Sequence, residues 1–190
     1  DPAAYTTSAS AADIEDLRRV LGYTHWNLYG ASYGTRLGLE ILRQFPATVR
    51  SAVFDSVLPP TIRYDEASAA SRAHSFDVMF RDCEADPDCS RAYPDLRARW
   101  QRTVQDAASR PLRVKARARD DAPLREVVFS GESLAASIPL GDTDGLADVP
   151  RLLWGIVHGD ADALSRIGSA VLRPSTYAWG VRYSVWCSAE

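Results

Sequence analysis

The chain has 190 residues, 46% of them hydrophobic and 25% charged, with a formal net charge of −3. That length allows one domain with a real core, or one and a half small ones, and the composition is ordinary for a globular protein. The mildly acidic balance argues against a nucleic acid partner, and no apolar run approaches the roughly 18 residues that would span a membrane.

The chain opens on Asp1-Pro2-Ala3-Ala4-Tyr5, with no initiator methionine and no signal peptide, so it reads as an internal stretch. Residues 8–21 read as a helix. Ser8 or Ser10 caps it, Asp13, Glu15 and Asp16 lie early, and Arg18 and Arg19 lie late. Ile14, Leu17, Val20 and Leu21 supply one apolar face, and Gly22 ends the helix. Residues 25–30 read as a buried strand and 34–45 as a second helix, stopped by Pro46. Residues 49–55 read as the next strand, ending before Leu58-Pro59-Pro60. Helix, strand, helix and strand in this order describe part of a parallel α/β sheet.

Between the first strand and the second helix stands Gly30-Ala31-Ser32-Tyr33-Gly34, which reads G-x-S-x-G. A strand, this pentapeptide and a helix in that order form the context of a nucleophile elbow. The serine then sits on a sharp, strained turn, and Gly30 and Gly34 are expected to remove side chains that would clash there. Ser32 is the candidate nucleophile. The backbone N–H of Tyr33, at the positive end of the helix dipole, is the candidate oxyanion donor.

Beyond Pro60 the character changes. Residues 64–82 and 90–109 read as amphipathic helices, with Phe76, Met79 and Phe80 on one apolar face and Leu96, Trp100 and Val104 on the other. Residues 111–128 carry a short strand or hairpin, and Ser130-Gly131-Glu132-Ser133-Leu134 turns into a helix. Residues 141–150 read as a loop, and 151–158 and 160–171 as short helices. The expected organisation is a partial α/β core at 1–60, a mostly helical cap at 61–182, and a return toward the core at 183–190.

Three cysteines are present. Cys83 and Cys89 flank the turn-forming Asp86-Pro87-Asp88, which favours a local disulfide over two reduced thiols. A bridge there implies an oxidising, extracytoplasmic compartment, and its absence a cytoplasmic one. No third and fourth ligand of suitable spacing accompanies them, so metal binding is not expected. Cys187 is left without a partner.

A serine nucleophile needs a base and an orienting carboxylate. His25 begins the strand that leads into Ser32, so it is expected at the far end and structural. His74 and His158 lie on cap helices among apolar neighbours and read as packed or partly solvated residues. Asp55 ends the strand after the elbow, near the sheet's carboxyl edge, and reads as organising the turn at 56–60. The basic stretch from Arg97 to Arg119 is interleaved with Asp106 and reads as a solvated face.

Three segments together carry a resemblance: Trp26-Asn27-Leu28-Tyr29-Gly30-Ala31-Ser32-Tyr33-Gly34-Thr35-Arg36, then Phe45-Pro46, then Val53-Phe54-Asp55-Ser56-Val57-Leu58-Pro59-Pro60. They resemble the prolyl aminopeptidase and tripeptidyl aminopeptidase branch of the α/β-hydrolases. Tyr5-Thr6-Thr7, the helix from Ala12 to Arg18, and the segment Cys83, Asp86-Pro87, Cys89 and Tyr93-Pro94 match that pattern too. The tail from Tyr183 to Glu190 is similar to the stretch where such enzymes leave the cap and return to the sheet.

The resemblance implies an α/β-hydrolase core with a cap, Ser32 as nucleophile, and Tyr33 N–H as one oxyanion donor. It implies a peptide substrate with a free N-terminus, held by acidic residues such as Glu190, and no metal or organic cofactor. A second donor from a His-Gly-Gly-type loop upstream, and an acid and a histidine downstream of Glu190, are expected outside these residues. The expectation is therefore a segment of a serine hydrolase, an aminopeptidase as the full-length parent and inactive in isolation. An esterase on the same fold, or a truncated product without activity, stand as alternatives.

Overall fold

A computed structural model describes residues 4–140, 146–174 and 178–189. The chain divides into two compact units, residues 1–67 with 176–190, and residues 68–175.

The first unit is built on a parallel pair of strands, β1 (Trp26–Ala31) and β2 (Val49–Asp55), in a register that sets Leu28 opposite Ala52 and Ala31 opposite Asp55. Helix α1 (Thr7–Val20) precedes β1, and α2 (Tyr33–Gln44) connects the two strands. Parallel strands need such a crossover. Helix α2 buries Thr35, Arg36, Gly38 and Ile41. It ends at Phe45, and Pro46 opens a single 3₁₀ turn that leads into β2.

Helix α1 starts one residue earlier than the sequence suggests. Thr6 caps it, its hydroxyl accepting the Ala9 N–H at 3.0 Å, and Gly22 follows the helix with φ +74°. The packed face also differs. Thr7, Ala11 and Glu15, spaced by four, are buried, whereas Leu17, Val20 and Leu21 are exposed, Val20 at 84%. Ala11 has no accessible surface, so two helices can come close there, and Gln44 on α2 reaches back to the Ser8 carbonyl and hydroxyl.

The boundary between the units falls within α3 (Tyr64–Ala85). The second unit continues through α4 (Pro87–Ala92), α5 (Leu96–Ser109), an antiparallel hairpin of β3 (Leu112–Ala116) and β4 (Arg125–Phe129), α6 (Gly131–Ala136), α7 (Val149–Val157) and α8 (Ala161–Leu172). The helix expected over 90–109 is interrupted at Tyr93-Pro94-Asp95, where proline removes a backbone donor and Asp95 takes φ +55°. The apolar faces read from the sequence meet in one core: Phe80, Trp100, Phe129, Leu134, Leu153 and Ile167 belong to it, and Phe76 stacks on Trp100. Arg97 ties α5 to α3 through Asp77 at 2.6 Å and Glu84 at 2.8 Å.

Cys83 and Cys89 form a disulfide, and Cys187 is free and exposed. Asp86 caps α4, accepting the N–H groups of Asp88 and Cys89, and Pro87 occupies the first turn. That cap turns the chain back and brings the two cysteine Cα atoms to 5.1 Å. Residues 179–189, after the second unit, form helix α9 (Trp179–Ala189), which belongs to the first unit. Among the described residues no helix is long and apolar enough to cross a membrane.

Candidate active site

Ser32 stands alone between the last residue of β1 and the first of α2, with φ 51° and ψ −121°. For a residue with a Cβ this left-handed conformation is costly, about 1–3 kcal/mol, and it persists only where the surroundings hold it. They do so on both sides. The Ser32 N–H donates to the Asp55 carbonyl at 3.0 Å, which extends the β1–β2 pairing by one residue. The Ser32 carbonyl accepts from the Thr35 N–H at 3.0 Å and the Thr35 hydroxyl at 2.7 Å. Thr35 Oγ1, with no accessible surface, also accepts the Leu58 N–H at 2.8 Å, tying the elbow to the chain after β2.

The two glycines differ. A methyl group at Gly30 would lie 2.5 Å from the Gly34 carbonyl oxygen, so the close passage of strand and helix requires glycine there. A methyl group at Gly34 would meet nothing within 4 Å among the described residues. The clash expected at Gly34 is therefore absent: its backbone forms one wall of the close passage, but its own side-chain position points into open space.

Ser32 is exposed at the start of α2. The first N–H groups of a helix, here those of Tyr33 and Gly34, have no acceptor within the helix and carry the positive end of its dipole. An exposed hydroxyl beside such donors suits nucleophilic attack with a developing oxyanion nearby. The Tyr33 hydroxyl shares a hydrogen bond with Thr7 Oγ1 at 3.1 Å, so the helix start is also fastened to α1.

Asp55 lies across from Ala31 in the register, next to Ser32. Its carboxylate accepts from the Ser56 hydroxyl at 3.1 Å, and Ser56 itself has φ +57°, as expected for a residue that organises the turn. His25 precedes β1 and Ser32 follows it. Six strand residues at about 3.3 Å each separate them by roughly 20 Å, out of reach for proton transfer. His74 is on α3 and His158 caps α7, both in the second unit, and His158 Nδ1 lies 2.8 Å from the Trp154 carbonyl. Glu190 lies outside the described residues. Among the described residues no three His, Cys, Asp or Glu side chains gather as a metal site.

Helices α1 and α2 each carry a carboxylate paired with arginine. Glu15, buried, is held by Arg18 at 2.6 Å and Arg19 at 3.0 Å, and accepts from the Thr48 hydroxyl at 3.3 Å. The Arg18 hydrogen bond is the main cause that lowers its carboxyl to about 2, against the opposing effect of burial. Glu40 on α2 is also lowered to about 2, chiefly by its hydrogen bond to Arg43.

The sequence passed over Thr35 and Arg36, which bond to the Ser32 carbonyl and to the chain after β2, and Trp186, whose ring meets that of Tyr33. Thr35 and Arg36 directly follow the pentapeptide, and a hydroxyl and a guanidinium buried at a helix start signal tethering. For Trp186 no local signal exists, because it meets Tyr33 from a distant part of the chain.

A family model described as alpha/beta hydrolase fold matches residues 1–137. The chain is 32% identical over 117 residues to the tripeptidyl aminopeptidases of Streptomyces lividans and Streptomyces coelicolor, an alignment that covers 56% of this chain and 21% of each relative. It is 33% identical over 76 residues to the serine protease Hip1 of Mycobacterium tuberculosis, covering 40% of this chain and 14% of that protein. The chain thus spans about a fifth, or less, of the length of the curated relatives it matches.

Proposed function

From the premise that this chain belongs to the alpha/beta hydrolase fold family, we propose that it carries the nucleophile of a serine aminopeptidase, with Ser32 as the attacking residue. The observation that carries this reading is the strained φ of 51° at an exposed serine between a parallel strand and a helix. Such strain is retained where it aims a reactive group.

Ser32 Oγ attacks the carbonyl carbon of a peptide bond. The carbonyl oxygen takes up negative charge and accepts a hydrogen bond from the Tyr33 N–H at the helix start. Collapse of this intermediate expels the amine and leaves an acyl group on Ser32, and water then attacks the ester and releases the acid. The proton of the hydroxyl has to pass to a base, which gives it to the departing amine. His25 is at the wrong end of β1, so we assign the base to a part of the natural protein outside these residues. Release from a free N-terminus is supported by the similarity to two tripeptidyl aminopeptidases. An acidic residue such as Glu190 would pair with the substrate's ammonium group and set the cleavage register. An extracytoplasmic location is supported by the Cys83–Cys89 disulfide.

The test uses the natural, complete protein. Ser32→Ala is expected to lower kcat/KM on peptidyl amides at least about a thousandfold. It is also expected to abolish labelling of intact cells by a membrane-impermeant fluorophosphonate. Acetylating the substrate's amino group is expected to remove turnover. Faster hydrolysis of simple esters, with no need for a free amine, would overturn the aminopeptidase reading. Labelling that survives Ser32→Ala would overturn the assignment of the nucleophile.

A further inference from the structure

Tyr33 and Arg36 stand three residues apart on α2, so their side chains share one face of its first turn. One residue of α9 covers that face. Trp186 is 6% exposed; the Tyr33 ring meets its ring at 6.0 Å and 65°, and the Arg36 guanidinium lies over it, 5.2 Å from the centroid. Tyr64, at the start of α3, stacks on Trp186 at 5.4 Å. Arg182, one turn before Trp186, lies over the Trp186 ring at 5.4 Å and the Tyr64 ring at 5.9 Å. It also pairs with Asp65 at 2.7 Å. Arg36 is 2% exposed and donates to the carbonyls of Pro60 and Ile62, each at 3.3 Å. All these residues belong to the first unit.

The hydrogen bonds of Ser32 fix the peptide groups around the serine. The orientation of the residue that follows depends on other contacts. The Tyr33 side chain is held at its ring by an edge contact with Trp186 and at its hydroxyl by Thr7, 3.1 Å away. A residue held at both points cannot rotate about the strand–helix junction, and its backbone N–H keeps one direction.

We propose that Trp186 is a positioning residue for the elbow: by clamping Tyr33 and Arg36 it holds the Tyr33 N–H where the oxyanion forms. The proposal rests on Ser32 being the nucleophile. Trp186 is covered by its neighbours and acts through Tyr33. An N–H that drifts by a fraction of an ångström loses its bond to the charged intermediate, where that bond is strongest, and loses little in the bound substrate. The expected signature is therefore a loss of kcat with KM retained.

The experiment compares Trp186→Ala and Trp186→Phe in the complete natural protein, with a peptidyl amide as substrate and a fluorophosphonate as probe. Trp186→Ala is expected to lower kcat and the rate constant of phosphonylation about tenfold or more. KM stays within about threefold and the final labelling stoichiometry at Ser32 is unchanged. Trp186→Phe restores an aromatic face and is expected to recover most of both rates. A folded Trp186→Ala protein whose kcat and labelling rate stay within about twofold of the parent would overturn the proposal, and so would a rise in KM alone. If thermal melting shows Trp186→Ala unfolded, Tyr64→Leu decides by the same comparison, since it removes the outer ring of the stack and leaves Trp186 in place. Ser32→Ala is assayed in parallel. Turnover or labelling that survives it defeats the nucleophile assignment itself, which separates that failure from a failure of the clamp.

Discussion

At the scale of single residues, the two glycines of the pentapeptide make opposite predictions. Alanine at Gly30 places a methyl group 2.5 Å from the Gly34 carbonyl oxygen, and neither backbone can yield without parting β1 from α2. Overpacking of this kind costs about 1–3 kcal/mol, and more where the obstacle is backbone. Alanine at Gly34 meets nothing among the described residues and gains helix propensity, so it is expected to be neutral or up to about 1 kcal/mol stabilising. Denaturant unfolding of the two variants checks this, and equal destabilisation would contradict it. The elbow was legible in the sequence because its demands are local: a strand, one strained serine and a helix within a dozen positions. The role of Gly34 was not legible, since a spacing pattern does not say which of two close residues points its Cβ at the other. The clamp on Tyr33 by Trp186 was not legible either, because it depends on a contact between the first and last parts of the chain.

At the scale of elements, α1 shows why an apolar stripe need not be the packed one. Ile14, Leu17, Val20 and Leu21 form the stripe that periodicity finds, yet the buried line is Thr7, Ala11 and Glu15. A small residue permits close helix approach, and a carboxylate with several donors satisfies itself inside it. Periodicity measures hydrophobicity and cannot see that a charge brings its partners along. The consequence is a dependence on pH. Glu15 and Glu40 both titrate at about 2 in the folded chain, while a free glutamate titrates at about 4.3. A carboxylate lowered by folding stabilises fully above its unfolded value, and that stabilisation is lost as pH falls through the folded one. The first unit is therefore expected to lose stability between about pH 5 and pH 2. Glu15→Gln, which leaves Arg18 without its carboxylate, is expected to cost about 2–3 kcal/mol at neutral pH and to flatten the acid dependence. Thermal melts of parent and variant at pH 7 and pH 3 measure both effects. An equal loss on acidification in the two proteins would refute the role of Glu15.

At the scale of the whole chain, the apolar core and the candidate site lie in different units. The large core cluster, from Met79 through Phe129 and Leu153 to Ile167, falls entirely within residues 68–175. The sequence showed those faces clearly, and they packed as their periodicity implied, because long helices with clustered aromatics leave few other ways to bury them. Among the described residues of the first unit the buried apolar side chains are Ala11, Ile41, Val185 and Trp186, accompanied by Thr7, Glu15, Thr35, Arg36 and Ser184. Its sheet leaves Tyr29 and Val53 largely exposed. Each large apolar side chain taken from water contributes about 1.5–3 kcal/mol, so the second unit carries most of that stabilisation. The first unit is held chiefly by hydrogen bonds and ion pairs, whose net contribution is nearer 1 kcal/mol each. In the 190-residue chain the first unit should then open locally while the second stays closed. Native-state hydrogen exchange is expected to show amides of β1 and β2 exchanging at least about a hundredfold faster than those of β3, β4 and α7. Protection of Leu28 and Val53 equal to that of Val127 and Leu153 would contradict this. The strained serine would then sit in the less stable half of the chain, where its conformation depends on the tethers from Thr35, Tyr33 and Trp186 more than on a surrounding core.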